Sequence, residues 1–114
     1  MLDDVEISLR LAAAIGYKFS TIHVTGDKVY VPQDVSGRKT PFRAFSYKDN
    51  TVIWSIAEKY DAFPMRSLPR HRLLGEWCSL VGTDEALVRY ADTPKKAVAL
   101  SVIARHEYNK RTKF

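Results

Sequence analysis

The sequence predicts an α+β fold: a small antiparallel sheet of about four strands packed with three helices, in the order αββαββα. Three observations carry this expectation. Three segments open with a polar cap ahead of apolar residues at helical spacing. Between them lie short apolar runs that alternate with period two and are joined by turn residues, which favours hairpins and an antiparallel sheet whose apolar side the helices cover. The chain has 114 residues, 46% of them apolar, enough for one core and too few for two, so residues 1–114 read as a single globular domain with a basic end at 105–114.

In the first helix, Asp3 followed three residues later by Glu6 forms a capping box, Leu2, Val5, Leu9, Ala12 and Ala13 share one face, and Gly16 supplies the stop. Thr21-Ile22-His23-Val24 and Lys28-Val29-Tyr30-Val31 flank Thr25-Gly26-Asp27, a hairpin with Ile22, Val24, Val29 and Val31 on its apolar face. Residues 33–48 show no period and contain Ser36-Gly37 and Pro41, so they are expected to be the longest irregular segment. Asp49-Asn50-Thr51 caps a second helix with Ile53, Ile56, Ala57 and Tyr60 on its apolar face and Trp54 beside it. Two further strands are expected at 75–81 and 86–91. Thr93-Pro94 then starts a third helix, because the hydroxyl accepts an orphan N–H and proline lacks the one a first turn cannot use. From Ala97 to Ala104 that helix is apolar nearly all round, which suits the central core helix better than a dimer interface; its small residues Ala97, Ser101 and Ala104 would let a neighbour approach closely.

The formal charge is +5 and favours anionic partners. The cations gather at Lys28, Arg38, Lys39, Arg43 and Lys48, at Arg66, Arg70 and Arg72, and at Arg105, Lys110, Arg111 and Lys113. No run of about 18 apolar residues offers a membrane span, and Leu2-Asp3-Asp4 stands where a signal peptide would be positive, so a cytoplasmic protein without a membrane partner is expected.

Catalytic signatures are missing from the sequence. It contains no phosphate-binding loop, dinucleotide fingerprint, H-E-x-x-H or G-x-S-x-G motif, and it has five glycines. His23, His71 and His106 are scattered, and the single Cys78 reads as a packed thiol inside a strand; no metal and no cofactor are expected, and Cys78 with one histidine is the only nucleophile pair available. A non-enzymatic protein follows. Its binding candidates are Arg38, Lys39, Arg43, Tyr47, Arg66, Arg70, Arg72, Lys110 and Arg111, because guanidinium forks hold phosphates or carboxylates while exposed rings stack on bases or anchor protein interfaces. Phe42, Phe45 and Tyr47 can instead fold inward, at least one of them as a loop anchor, and Trp54 and Trp77 read as core residues first.

Three stretches carry a family likeness: Ser46-Tyr47-Lys48-Asp49-Asn50-Thr51-Val52-Ile53-Trp54-Ser55-Ile56-Ala57-Glu58-Lys59, the strand with Trp77, and Tyr90-Ala91-Asp92-Thr93-Pro94-Lys95-Lys96-Ala97-Val98-Ala99-Leu100. In these the chain resembles the phage ABA sandwich domain family. The resemblance implies a phage or prophage origin, a layered α/β fold and action by binding a host component; no functional residues carry over from it. The leading expectation is therefore stoichiometric binding to a host protein or ribonucleoprotein, with a component of bacterial immunity such as a CRISPR effector as one such target, which would make the chain an anti-CRISPR. Direct nucleic-acid binding by the same cations and capture of a small nucleotide under the 33–48 loop, at a homo-oligomer interface or within one chain, are the alternatives.

Overall fold

The computed structural model describes residues 2–32, 42–83 and 85–112. Helix α1 (Asp4–Ala14) begins where the Asp3 carboxylate accepts the Glu6 N–H at 2.8 Å, and it ends before Gly16, whose φ of +115° is one that a side chain would resist. Strands β1 (His23–Thr25) and β2 (Lys28–Pro32) form a hairpin around Gly26 at φ +62°. Strand β3 (Phe42–Phe45) completes the first antiparallel sheet, with Val29 opposite Phe45 and Val31 opposite Arg43. Helix α2 (Asn50–Tyr60) starts on the Asp49 carboxylate, which accepts the Thr51 N–H at 2.9 Å. A second antiparallel sheet, ordered β4-β5-β6, is made of β4 (Met65–Arg66), β5 (Trp77–Ser79) and β6 (Arg89–Ala91). Helix α3 (Pro94–Thr112) follows, its first turn capped by the Thr93 hydroxyl.

The fold is α+β, as expected, but the described strands form two sheets of three instead of one sheet of about four. The additional strands are β3 and β4. At four and two residues they are too short to show a period, and they exist as strands because β2 and β5 offer them backbone partners. The expected irregular segment thus contains a strand at its end, while residues 33–41 lie outside the described residues. The stretch at 86–91 is also divided: Glu85–Leu87 is a 3-10 turn and only Arg89–Ala91 is extended.

Helix α3 packs on α1 and α2 and on strands β5 and β6, while α1 also lies on β2. The third helix is accordingly the central element, with Ala97, Val98, Ala99, Ser101, Val102, Ile103 and Ala104 all buried. Ile7 and Leu11 from α1, Ile53 and Ala57 from α2, and Val29, Val31 and Phe45 from the first sheet share one buried core with its Val98, Ala99, Val102 and Ile103. Each fully buried Val, Leu or Ile contributes roughly 1.5–3 kcal/mol, and ten or so such residues outweigh any cap in this chain. The small residues of α3 bring β5 close enough for the buried Ser101 hydroxyl to reach Ser79 Oγ at 3.2 Å.

Three sequence expectations need correction. On α1 the deepest residues are Ile7, Ser8, Leu11 and Ala12, not the stripe through Val5 and Leu9, because the helix is wedged between α3 and β2 and has two faces covered. Val24 is exposed: β1 is an edge strand that overhangs the core, and only Val29 and Val31 of that hairpin face are fully inside. The third helix does not stop at Ala104: residues 105–112 of the basic end are its last turns.

Candidate functional site

The strongest candidate is assembled on the second sheet by strand alternation. Ser79 turns toward α3, so its neighbour Cys78 turns the other way. Register places Met65 on one side of Cys78 and Tyr90 on the other, and these three begin the floor of a cavity of about 460 Å³ extended by Leu68, Leu80 and Val88. Arg66, Arg70, His71 and Glu85 supply its polar groups. The 3-10 turn Pro69–His71 stands over the sheet, held by the Tyr90 hydroxyl against His71 Nδ1 at 3.3 Å, the two rings edge to face with centroids 5.7 Å apart.

On both sides of that turn the chain presents apolar side chains to solvent. Leu73 is fully exposed, Leu74 is 63% exposed, and Phe63, Met65 and Leu68 are each a little over half exposed. The backbone beneath them is bonded: His71 N–H to the Leu68 carbonyl at 2.8 Å, Leu74 N–H to His71 at 2.9 Å, and Gly75 N–H to Arg72 at 3.1 Å. Gly75, at φ +151°, lies so close to β6 that a Cβ there would sit 2.6 Å from the Ala91 nitrogen. A turn built this firmly that still exposes leucines is the candidate for an interaction surface.

The arginines expected to bind are partly gathered here. Arg66 stacks its guanidinium 5.2 Å from the Trp77 ring centroid and lies 3.8 Å from Glu76; it shares the cavity with Arg70, and Arg72 sits on the same turn. Arg43 belongs to β3 and lines a different cavity, with Lys59. Lys110 and Arg111 are exposed on the last turn of α3. Arg38 and Lys39 lie outside the described residues.

Tyr47 turns inward, away from the exposed position a stacking ring would need. It is 3% exposed, its backbone N–H donates to the buried Ser8 hydroxyl at 3.2 Å, and its own hydroxyl donates to the Asp4 carboxylate, which Lys48 also contacts. The Lys48 ammonium and then the Tyr47 hydroxyl hold the Asp4 carboxyl below its ordinary range, while burial and then the Asp4 charge push the Tyr47 phenol up. Phe45 also turns inward and Phe42 outward; Trp54 is exposed where a core position was expected. His71 and Cys78 line one cavity, but the partner of His71 Nδ1 is the Tyr90 hydroxyl. Among the described residues no cluster of three or more His, Cys, Asp and Glu is placed to hold a metal, and no helix is long and apolar enough to cross a membrane.

Sequence reasoning stopped at Arg72 and so missed Leu73 and Leu74, although two adjacent leucines after an arginine, in a stretch without helical or strand period, were a usable signal. Tyr90, Leu80 and Val88 had no local signal. No family model, no curated protein and no solved structure matches this chain.

Proposed function

We propose that the chain is a binding protein that docks, without catalysis, on a partner protein whose surface combines apolar side chains with carboxylates. The observation that supports this most is the exposure of Phe63, Met65, Leu68, Leu73 and Leu74 on the segment that carries Arg66, Arg70 and Arg72. Exposed leucines favour burial against another protein, and guanidinium forks around them select carboxylates and fix orientation. The resemblance to the phage ABA sandwich domain family points to a host macromolecule as that partner, with components of bacterial immunity such as a CRISPR effector the class to test first.

The test is native mass spectrometry of the tagged protein recovered from nuclease-treated bacterial lysate, run beside Leu73→Asp/Leu74→Asp and Arg66→Ala/Arg70→Ala/Arg72→Ala. A stoichiometric added mass of protein size, lost in both variants while their melting temperatures stay at the parent value, is the expected result. A partner retained by both variants would sink the proposal. Binding that nuclease abolishes, with affinity falling linearly in log salt, would assign the cations to nucleic acid instead.

A further inference from the structure

A second cavity lies between β3 and α2, and it does not rest on the docking reading. Along α2, Thr51, Ser55 and Lys59 follow one another at four-residue spacing, so they form one row on the helix. Across from them, Arg43 and Phe45 share a face of β3 by strand alternation: Phe45 is buried in the core and Arg43 reaches the cavity from the exposed side. Tyr17 and Tyr60 complete the lining. The Tyr17 ring meets Phe45 edge to face at 6.3 Å, and Lys59 Nζ lies 5.8 Å from the centre of the Tyr60 ring. The cavity holds about 290 Å³, at the bottom of the roughly 300–1,000 Å³ range of small-molecule sites.

Two cations face this space with no carboxylate in its lining, and no ion pair among the described residues engages either of them. From this geometry we infer a site for a phosphorylated nucleoside. The Arg43 fork takes two phosphate oxygens, Lys59 adds a point charge from the helix side, and Thr51 Oγ1 supplies a hydroxyl donor. Ser55 spends its proton on the Thr51 carbonyl at 2.7 Å and so offers lone pairs to a sugar hydroxyl or a base amine. The Tyr17 and Tyr60 rings give a flat ligand its apolar contact, which a bare phosphate lacks. The same chemistry is presented by a free mononucleotide and by the phosphorylated end of a single strand; the volume admits one nucleotide.

An NMR titration of the amide resonances tests this, with AMP, GMP, CMP, UMP, inorganic phosphate and a 5′-phosphorylated single-stranded oligonucleotide as probes. Shifts gathered at Tyr17, Arg43, Phe45, Thr51, Ser55 and Lys59 are expected, with at least one nucleotide bound roughly tenfold or more tightly than inorganic phosphate, as stacking on an aromatic ring would give. Arg43→Ala and Lys59→Ala, both at exposed positions, should each weaken binding roughly tenfold or more, the loss of one charge-assisted contact. Arg70→Ala should leave it unchanged, so the docking surface and this site fail or stand separately. Tighter binding of the oligonucleotide than of every mononucleotide would assign the ligand to a strand end, and the reverse to the free nucleotide. Absence of shifts at millimolar probe, affinity untouched by Arg43→Ala and Lys59→Ala, or phosphate bound as well as every nucleotide would each overturn the inference.

Discussion

Residues 42–48 and residues 63–74 have much the same composition, cations interleaved with aromatic and apolar side chains, and the fold uses them in opposite ways. In the first, Phe45 and Tyr47 are almost wholly buried, and Tyr47 ties the chain just after β3 to α1 through Ser8 and Asp4. In the second, five apolar residues stay in solvent over a hydrogen-bonded turn. The difference lies in what each backbone is paired to. Strand β3 is bonded to β2 over four residues, which fixes its alternation and turns Phe45 into the core. Strand β4 pairs over only two, and the chain then leaves the sheet through Pro69, so the following side chains have no core to enter. Composition alone does not separate a loop anchor from a contact surface; strand pairing and a waiting hydrogen-bond partner do.

The largest test of this contrast is truncation on both sides of it. Tyr47→Ala removes a buried ring and is expected to lower the unfolding free energy by about 3–5 kcal/mol, as aromatic-to-alanine changes in cores do. Leu73→Ala, at a fully exposed site, should stay within about 0.5 kcal/mol. Urea denaturation measures both; comparable costs would mean that the 63–74 turn is a structural element and not a free surface.

Next in size is Gly75→Ala. The new methyl would meet the Ala91 backbone at 2.6–2.9 Å at a φ of +151°, so either the turn or β6 must move. A loss of about 1–3 kcal/mol from backbone strain is expected, with the clash adding to it. Since the same contact sets the turn against the sheet, amide shifts should spread to Met65, Cys78 and Tyr90. Unchanged shifts at those three positions would show that the groove does not depend on this close approach.

Ser8→Ala probes the other region. It leaves the buried Tyr47 N–H without its acceptor and should cost about 1–3 kcal/mol. A neutral result would mean that water or backbone movement satisfies that donor.

Much of this was legible in the sequence wherever the signal was local. Asp3, Asp49 and Thr93 each accept a first-turn N–H as expected, although Glu6 pairs with Arg10 where the capping box would return it to Asp3; the all-round apolar run of α3 does mark the central helix, and Cys78 does lie inside a strand. What was illegible depends on pairing between distant residues. Nothing near Phe42 or Met65 says that β2 or β5 will bond to it, and so one sheet of about four strands was expected where the described strands form two of three. The α1 stripe was misplaced because a helix covered on two faces has more apolar positions than one stripe can name. For the candidate surface, Arg66, Arg70 and Arg72 were readable as a cationic segment, but its floor of Cys78, Leu80, Val88 and Tyr90 comes from other strands and appears only once the register is known.

The smallest effect is the pH dependence of the Asp4–Tyr47–Lys48 cluster, and its sign is set by the two shifts. The Asp4 carboxyl titrates below its ordinary value of 3.8 in the folded chain, so the stability it contributes is present above that value and is lost as pH falls through the folded value. Tyr47 titrates above its ordinary 10.0, so its contribution is complete below pH 10 and is lost as pH rises beyond it. Lys48 and Asp4 are both more than half exposed, which screens their pair and keeps the acid limb shallow. Tyr47→Phe, which keeps the ring and deletes the hydroxyl bond, should cost about 1 kcal/mol at neutral pH. Above pH 10 the gap between parent and variant should close, because the parent then carries the burden of ionising a buried phenol that phenylalanine lacks. Thermal melts from pH 3 to 11 follow both limbs. A gap that stays constant to the alkaline end would mean that the Tyr47 hydroxyl is hydrated in solution, and the line drawn between the inward loop and the outward one would then fall at Phe45.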